Sequence, residues 1–209
     1  MRPAVATRLL STLLSILAAV SFVACGNSDT GGSATTQTPT SITTTTTTKK
    51  PATTTTTASP RAGAIAASDG SFTVNLPKDW RSEPAQGSLI QLIGDDGANL
   101  AVAVNGAAVR GPTTKDSAET GEKNLINNLK ATIDPGGIES STVDGEPAWR
   151  FTYTVPAASL QQTHDTRGRS LYVRHRDIEY LVTFSSTPET FGGDVANYES
   201  IMQSWKWAD

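Results

Sequence analysis

The chain has 209 residues, with 17 basic against 20 acidic side chains, a formal net charge of −3 and one cysteine. A single cysteine excludes an intramolecular disulfide framework. From Asp69 onward twelve basic residues face nineteen acidic ones, a net charge of −7 without a basic stripe, which argues against nucleic acid as a partner.

Arg2 and Arg8 precede an apolar run over 9–24, which ends in Phe22-Val23-Ala24-Cys25. This is a charged n-region, an h-region too short to span and hold a bilayer, and a small residue before a cut. These residues resemble the cleavage site of bacterial lipoproteins: Val23, Ala24 and Gly26 fit, and Phe22 stands where that family favours Leu. The resemblance implies a signal peptide over 1–24 and lipidation of Cys25. Multiple acyl chains there anchor a protein stably to the outer face of the cytoplasmic membrane.

Residues 25–68 then read as the lipidated cysteine followed by a tether of Thr, Ser, Ala, Gly and Pro, with threonine runs at 43–48 and 53–57. Such a segment has too little apolar surface to offset its ordering entropy. It is a spacer, with or without O-linked sugars on the threonines. Residues 69–209 have the size of one domain with one core.

Within that domain, 71–76 alternates apolar and polar residues as a strand does, and Pro77 ends it before a turn at Asp79-Trp80. Strands at 89–93 and 100–105 flank Gly94-Asp95-Asp96-Gly97-Ala98-Asn99, a hairpin connection. The stripe Ala118, Glu122, Leu125, Leu129, Ile133, widened by Ile126, predicts a helix over 115–133, capped by Thr114 or Asp116 and stopped by Pro135-Gly136-Gly137. Strands at 138–143 and 147–155 enclose Asp144-Gly145, a two-residue hairpin signal. A polar loop over 156–168, strands at 169–176 and 178–186, and a helix over 193–205 complete the domain.

Three strands, a helix, four strands and a helix, joined by short connections, predict an α+β fold. It is an αβα sandwich around a twisted, mostly antiparallel sheet. The expected core comprises Phe72, Val74, Leu92, Val102, Leu125, Leu129, Trp149, Phe151, Tyr153, Val182, Phe184, Ile201 and Trp205.

Phe72-Thr73-Val74-Asn75-Leu76-Pro77-Lys78-Asp79-Trp80, Asp144-Gly145-Glu146-Pro147-Ala148, Tyr180-Leu181-Val182-Thr183-Phe184 and Ile201-Met202-Gln203-Ser204-Trp205 resemble the PsbP-like fold. The combination of signal, Thr-rich tether and this domain is similar to actinobacterial, mycobacterial lipoproteins of the LpqN and LpqT type. The resemblance implies a cell-envelope location and a non-catalytic binding or assembly role.

Chemistry-bearing motifs are sparse. With Cys25 acylated, His164 and His175 fall short of a zinc ligand set. His175 shares the parity of Leu171 and Val173 and reads as a satisfied, half-buried histidine. No nucleophile elbow or phosphate-binding glycine loop occurs, so no enzyme activity, cofactor or metal is expected.

One surface stands out. Tyr172, Arg174 and Arg176 share a parity opposite Leu171 and Val173, and Arg150 faces away from Trp149 and Phe151. If the two strands are neighbours, Arg150, Tyr172, Arg174 and Arg176 form one exposed partner-binding face. Replacing Arg174 and Arg176 with Glu is then expected to abolish partner capture with little change in thermal stability. The alternative, which the nearby acids favour, is a solvated face paired with Asp165, Asp177 and Glu179.

The leading reading is therefore a lipid-anchored, extracytoplasmic module that binds the membrane through its acyl anchor and recruits a protein or envelope ligand. The alternative is a lipid or glycolipid carrier, which requires a large apolar cavity.

Overall fold

A computed structural model describes residues 63–85, 87–106 and 110–209; Cys25, the signal segment and most of the tether lie outside the described residues. The order of elements is β1 (Ala64–Ala66), β2 (Phe72–Asn75), β3 (Trp80–Glu83), β4 (Ile90–Gly94), β5 (Asn99–Val104), then α1 (Thr114–Leu129). There follow β6 (Thr132–Ile133), β7 (Glu139–Val143), β8 (Glu146–Val155), α2 (Ala157–Leu160) and β9 (Thr166–His175). The chain ends with β10 (Ile178–Ser186), α3 (Phe191–Gln203) and β11 (Lys206–Trp207).

The large sheet runs β3-β4-β5-β10-β9-β8-β6, with β7 also on β8, and a small sheet runs β1-β2-β11. All described pairings are antiparallel. This is the expected α+β sandwich, entered earlier than position 69, because residues 64–66 already pair with β2.

Both faces of the large sheet are covered, so its central strands bury both parities. One face carries Phe151, Tyr153, Val155 and Tyr172 against α1, with Leu125, Leu129 and Trp149 half-buried around them. The opposite face carries Leu92, Val102, Leu171, Val173, Val182 and Phe184 against α3 and the small sheet. Phe72 and Trp205 stack within it at 3.9 Å between ring centroids. Trp205 therefore acts from beyond the end of α3, and the chain then extends into β11.

Helix α1 starts one residue earlier than its pattern suggests. Thr113 is the N-cap, and its side chain and the Asp116 carboxylate reciprocally bond each other's backbone N–H, a capping box. The helix ends with Lys130 at φ 55° rather than continuing to Ile133. Thr132 and Ile133, both β-branched, leave to pair with Tyr153 and Thr154 on β8. Gly121 sits mid-helix, where glycine is costly. A Cβ there would lie 1.9 Å from the Tyr172 hydroxyl, so close approach of α1 to the sheet requires it.

Two polar clusters tie the loops to this frame. Glu179 is fully buried; its carboxylate accepts from Asn105 Nδ2 at 2.7 Å and from Arg174 Nη2 at 2.7 Å. Arg174 also donates to the carbonyls of Gly111 and Pro112, pinning the approach to α1. In the second cluster Asp194 of α3, 3% exposed, meets the Asp96 carboxyl from the β4–β5 turn. Burial first, then the hydrogen bond with Asp96, pushes the Asp194 pKa up, while the bond to Asp194 holds that of Asp96 down. The nearby Thr190 and Ser186 hydroxyls oppose this rise.

Two outcomes follow from these clusters. Glu179→Ala leaves Arg174 beside an emptied, buried position and is expected to cost about 3–5 kcal/mol, read as a lower urea midpoint at unchanged slope. A loss under about 1 kcal/mol would mark the pair as screened by solvent. With Asp194 raised and Asp96 lowered, Asp194 keeps its proton to higher pH than an unfolded carboxyl and Asp96 loses its own at lower pH. The pair's contribution falls as pH drops through the lowered Asp96 value, and falls again as pH rises through the raised Asp194 value. Asp194→Asn is expected to flatten the fall in urea midpoint as pH rises above the ordinary carboxyl range; an unchanged limb would contradict the raised Asp194 value.

Candidate ligand-binding cleft

The β7–β8 hairpin turns through Asp144 at φ 45° and Gly145 at φ 88°. Positive angles at both positions mark the primed turn that matches strand twist. This turn also fixes the C-terminus. Asp144 accepts from Lys206 Nζ at 2.5 Å and from the Trp207 backbone N–H at 3.0 Å. The Lys206 bond, then that of Trp207, holds the Asp144 carboxyl below the usual range. His175 stacks on Trp207 with centroids 4.5 Å apart and is half-buried, as its parity predicts. Its Nδ1 lies 3.0 Å from Glu146 Oε1, but its Nε2 is buried without a hydrogen-bond partner, so the ring is only half satisfied.

Between this hairpin and α3 lies a cleft of about 210 Å³. Leu171 and Met202 supply its apolar lining, and Ser141, Thr142, Asp144, Gln203 and Lys206 supply polar groups. Arg150, Tyr198 and Glu199 complete it. Glu199 Oε1 accepts from Arg150 Nη1 at 2.9 Å and from Arg169 Nη1 at 2.6 Å, so two guanidiniums share one carboxylate oxygen. Arg169 further donates from Nε to Thr152 Oγ1 at 3.2 Å, and its guanidinium lies 5.4 Å from the centre of the Tyr198 ring.

Two donors in the cleft are left over. Arg150 Nε and the Tyr198 hydroxyl are buried without a hydrogen-bond partner. Burial pushes the Tyr198 phenol far up, so it stays protonated and able to donate. Glu139 Oε2 is the carboxylate facing Arg150 Nε, at 3.7 Å, beyond hydrogen-bond reach.

The structure divides the four residues assigned to one exposed face. Alternation holds within each strand, and β8 does neighbour β9, but the register pairs Arg150 with Leu171 and Trp149 with Tyr172. Arg150 therefore faces α3, whereas Tyr172 and Arg174 face α1. Tyr172 is 5% exposed and Arg174 is engaged by Glu179, so neither offers a free surface. Arg176 is exposed and sits in the β9–β10 turn at φ 54°, outside strand parity. Arg174→Glu would set a second carboxylate against buried Glu179, so unchanged stability is not expected of it.

Of the four, only Arg150 lines the cleft. Its companions Arg169, Tyr198 and Glu199 were not singled out as a site from the sequence. The available signals were the Arg167–Arg169 crowding and the adjacency of Glu199 to an apolar helix stripe.

A second cleft of about 350 Å³ is lined by Lys78, Asp79, Trp80, Asp95, Asp96 and Asn197. Among the described residues no group of three or more His, Cys, Asp or Glu is placed to hold a metal ion. No helix among them is long and apolar enough to cross a membrane. His164 is exposed, and its neighbour Asp165 accepts the Ala157 backbone N–H at 2.9 Å, capping α2 rather than orienting the histidine.

No protein-family model and no curated protein matches the chain. Solved structures do. The crystal structure of LpqN, involved in cell envelope biogenesis of Mycobacterium tuberculosis, superposes with a TM-score of 0.53 at 10% identity, covering 70% of this chain and 90% of that one. CyanoP, the cyanobacterial PsbP of Synechocystis sp. PCC 6803, gives 0.48 at 11% identity, covering 69% and 91%. The Saccharomyces cerevisiae Ran-binding protein Mog1p gives 0.49 at 10% identity, covering 70% and 95%. At such identity the likeness to LpqN is one of fold: this chain has the α+β fold of LpqN.

Proposed function

We propose that the chain is a non-catalytic binding module of the cell envelope. In this reading acylated Cys25 holds it at the outer face of the cytoplasmic membrane, and the Thr-rich tether extends the folded domain to recruit a protein or envelope ligand. The observation that carries the proposal is the cleft between the β7–β8 hairpin and α3, where buried donors are left unpaired beside a pair of arginines. Leaving such groups unsatisfied is costly for folding alone, and a ligand that accepts from them removes the cost. The fold shared with LpqN, a protein involved in cell envelope biogenesis, supports the same location.

Catalysis lacks support on the chemistry of the cleft. Ser141 is present, but the lining includes no histidine or cysteine to act with it. Lipid carriage calls for a large apolar cavity, whereas the two clefts described are small and lined chiefly by polar and charged side chains.

The test is a photoreactive residue at Gln203 in the full chain, expressed in intact cells. One discrete adduct is expected, together with detergent-extractable membrane association of the wild type and its loss in Cys25→Ser. Membrane retention of Cys25→Ser would overturn the anchor, and absence of any adduct at Gln203 would overturn the binding role of the cleft.

A further inference from the structure

The cleft is selective in what it leaves unsatisfied. Its two orphaned groups, Arg150 Nε and the Tyr198 hydroxyl, are both available as donors. Among the cleft's ion pairs, Lys206 is matched by Asp144, but Arg150 and Arg169 share the single Oε1 of Glu199. Glu139, the other carboxylate near Arg150, stands 3.7 Å from its Nε, beyond hydrogen-bond reach, so that N–H is left without an acceptor. Leu171 and Met202, 1% and 7% exposed, give the cleft an apolar side. Its volume of about 210 Å³ corresponds to roughly seven waters at about 30 Å³ each, room for a small group rather than a long chain.

We propose, building on the binding role above, that this cleft takes a carboxylate carried on a short apolar stem. The Nε edge of the Arg150 guanidinium donates to the carboxylate, Tyr198 donates to one of its oxygens, and the stem lies along Leu171 and Met202. Exposed Glu139, 3.7 Å from Arg150 Nε, is the acid such a ligand displaces. The carboxylate comes either from a free organic acid or from an acidic side chain of a bound peptide.

Tyr198 supplies a signature that a purely structural residue lacks. Tyr198→Phe deletes a buried, unpaired hydroxyl, so the free protein keeps its fold and its Tm does not fall. The same change removes a donor from the ligand.

The experiment follows the Arg150 Nε–H resonance of the ¹⁵N-labelled full chain during titration with succinate, N-acetyl-Gly-Glu-Gly-amide, its Gln counterpart, and sodium chloride at matched ionic strength. A saturable shift with either carboxylate and none with the Gln peptide or chloride is expected. Tighter binding of succinate identifies a free acid, and tighter binding of the Glu peptide identifies a side chain. Arg150→Gln is expected to weaken the response at least tenfold, Tyr198→Phe severalfold without a lower Tm, and Glu139→Gln to strengthen it. Equal responses to the Gln peptide or chloride, or no response to either carboxylate, overturn the inference. If that occurs while the Gln203 adduct persists, the binding role stands and only the ligand chemistry falls.

Discussion

The register between β8 and β9 decides which side chains meet α1 and which meet α3, and the remaining structure follows from it. Because helices or a second sheet cover both faces, the central strands send alternate residues into two different interiors. Trp149 and Tyr172 are fixed on one side, Arg150 and Leu171 on the other. A slip of one residue would exchange these sets and bury charges where rings now pack. Aromatic residues pack on both sides, but the α3 side also admits Arg150 and Arg169 and needs a carboxylate to receive them.

That need explains Glu199. A buried guanidinium without a partner is expensive, and one carboxylate oxygen for two arginines is the smallest answer available to α3 at this crossing. The answer is incomplete, since Arg150 Nε and the Tyr198 hydroxyl remain unmatched. By contrast the Arg174–Glu179–Asn105 cluster on the opposite face engages both oxygens of its carboxylate. Both clusters leave an arginine Nε unmatched, on Arg174 and on Arg150. They differ in that Arg174 also donates to the Gly111 and Pro112 carbonyls and secures a loop, whereas Arg150 lines a cleft.

Much of the fold was legible in the sequence. Strand β10 has the bounds its alternation predicts, Asp144-Gly145 forms its hairpin, and Phe72, Val74, Phe151, Val182 and Trp205 are buried as expected. Strand β3 escaped notice because Trp80-Arg81-Ser82-Glu83 buries only its first residue and carries no alternating apolar signal. The end of α1 was misplaced because Ile133 continues the helical stripe in sequence while packing into the same cluster from β6. Of the candidate face, parity was readable strand by strand, but register was not. Long-range pairings such as Glu199 with Arg150 and Arg169 depend on where α3 crosses the sheet, which no local spacing encodes.

The central claim is that binding occurs between the β7–β8 hairpin and α3. Amide hydrogen exchange on the full lipidated protein in its native membrane, compared with the protein purified free of partners, tests this most directly. Added protection confined to β7, the Asp144-Gly145 turn and the last two turns of α3 is the expected result. Protection on α1 with none at the hairpin would contradict the account.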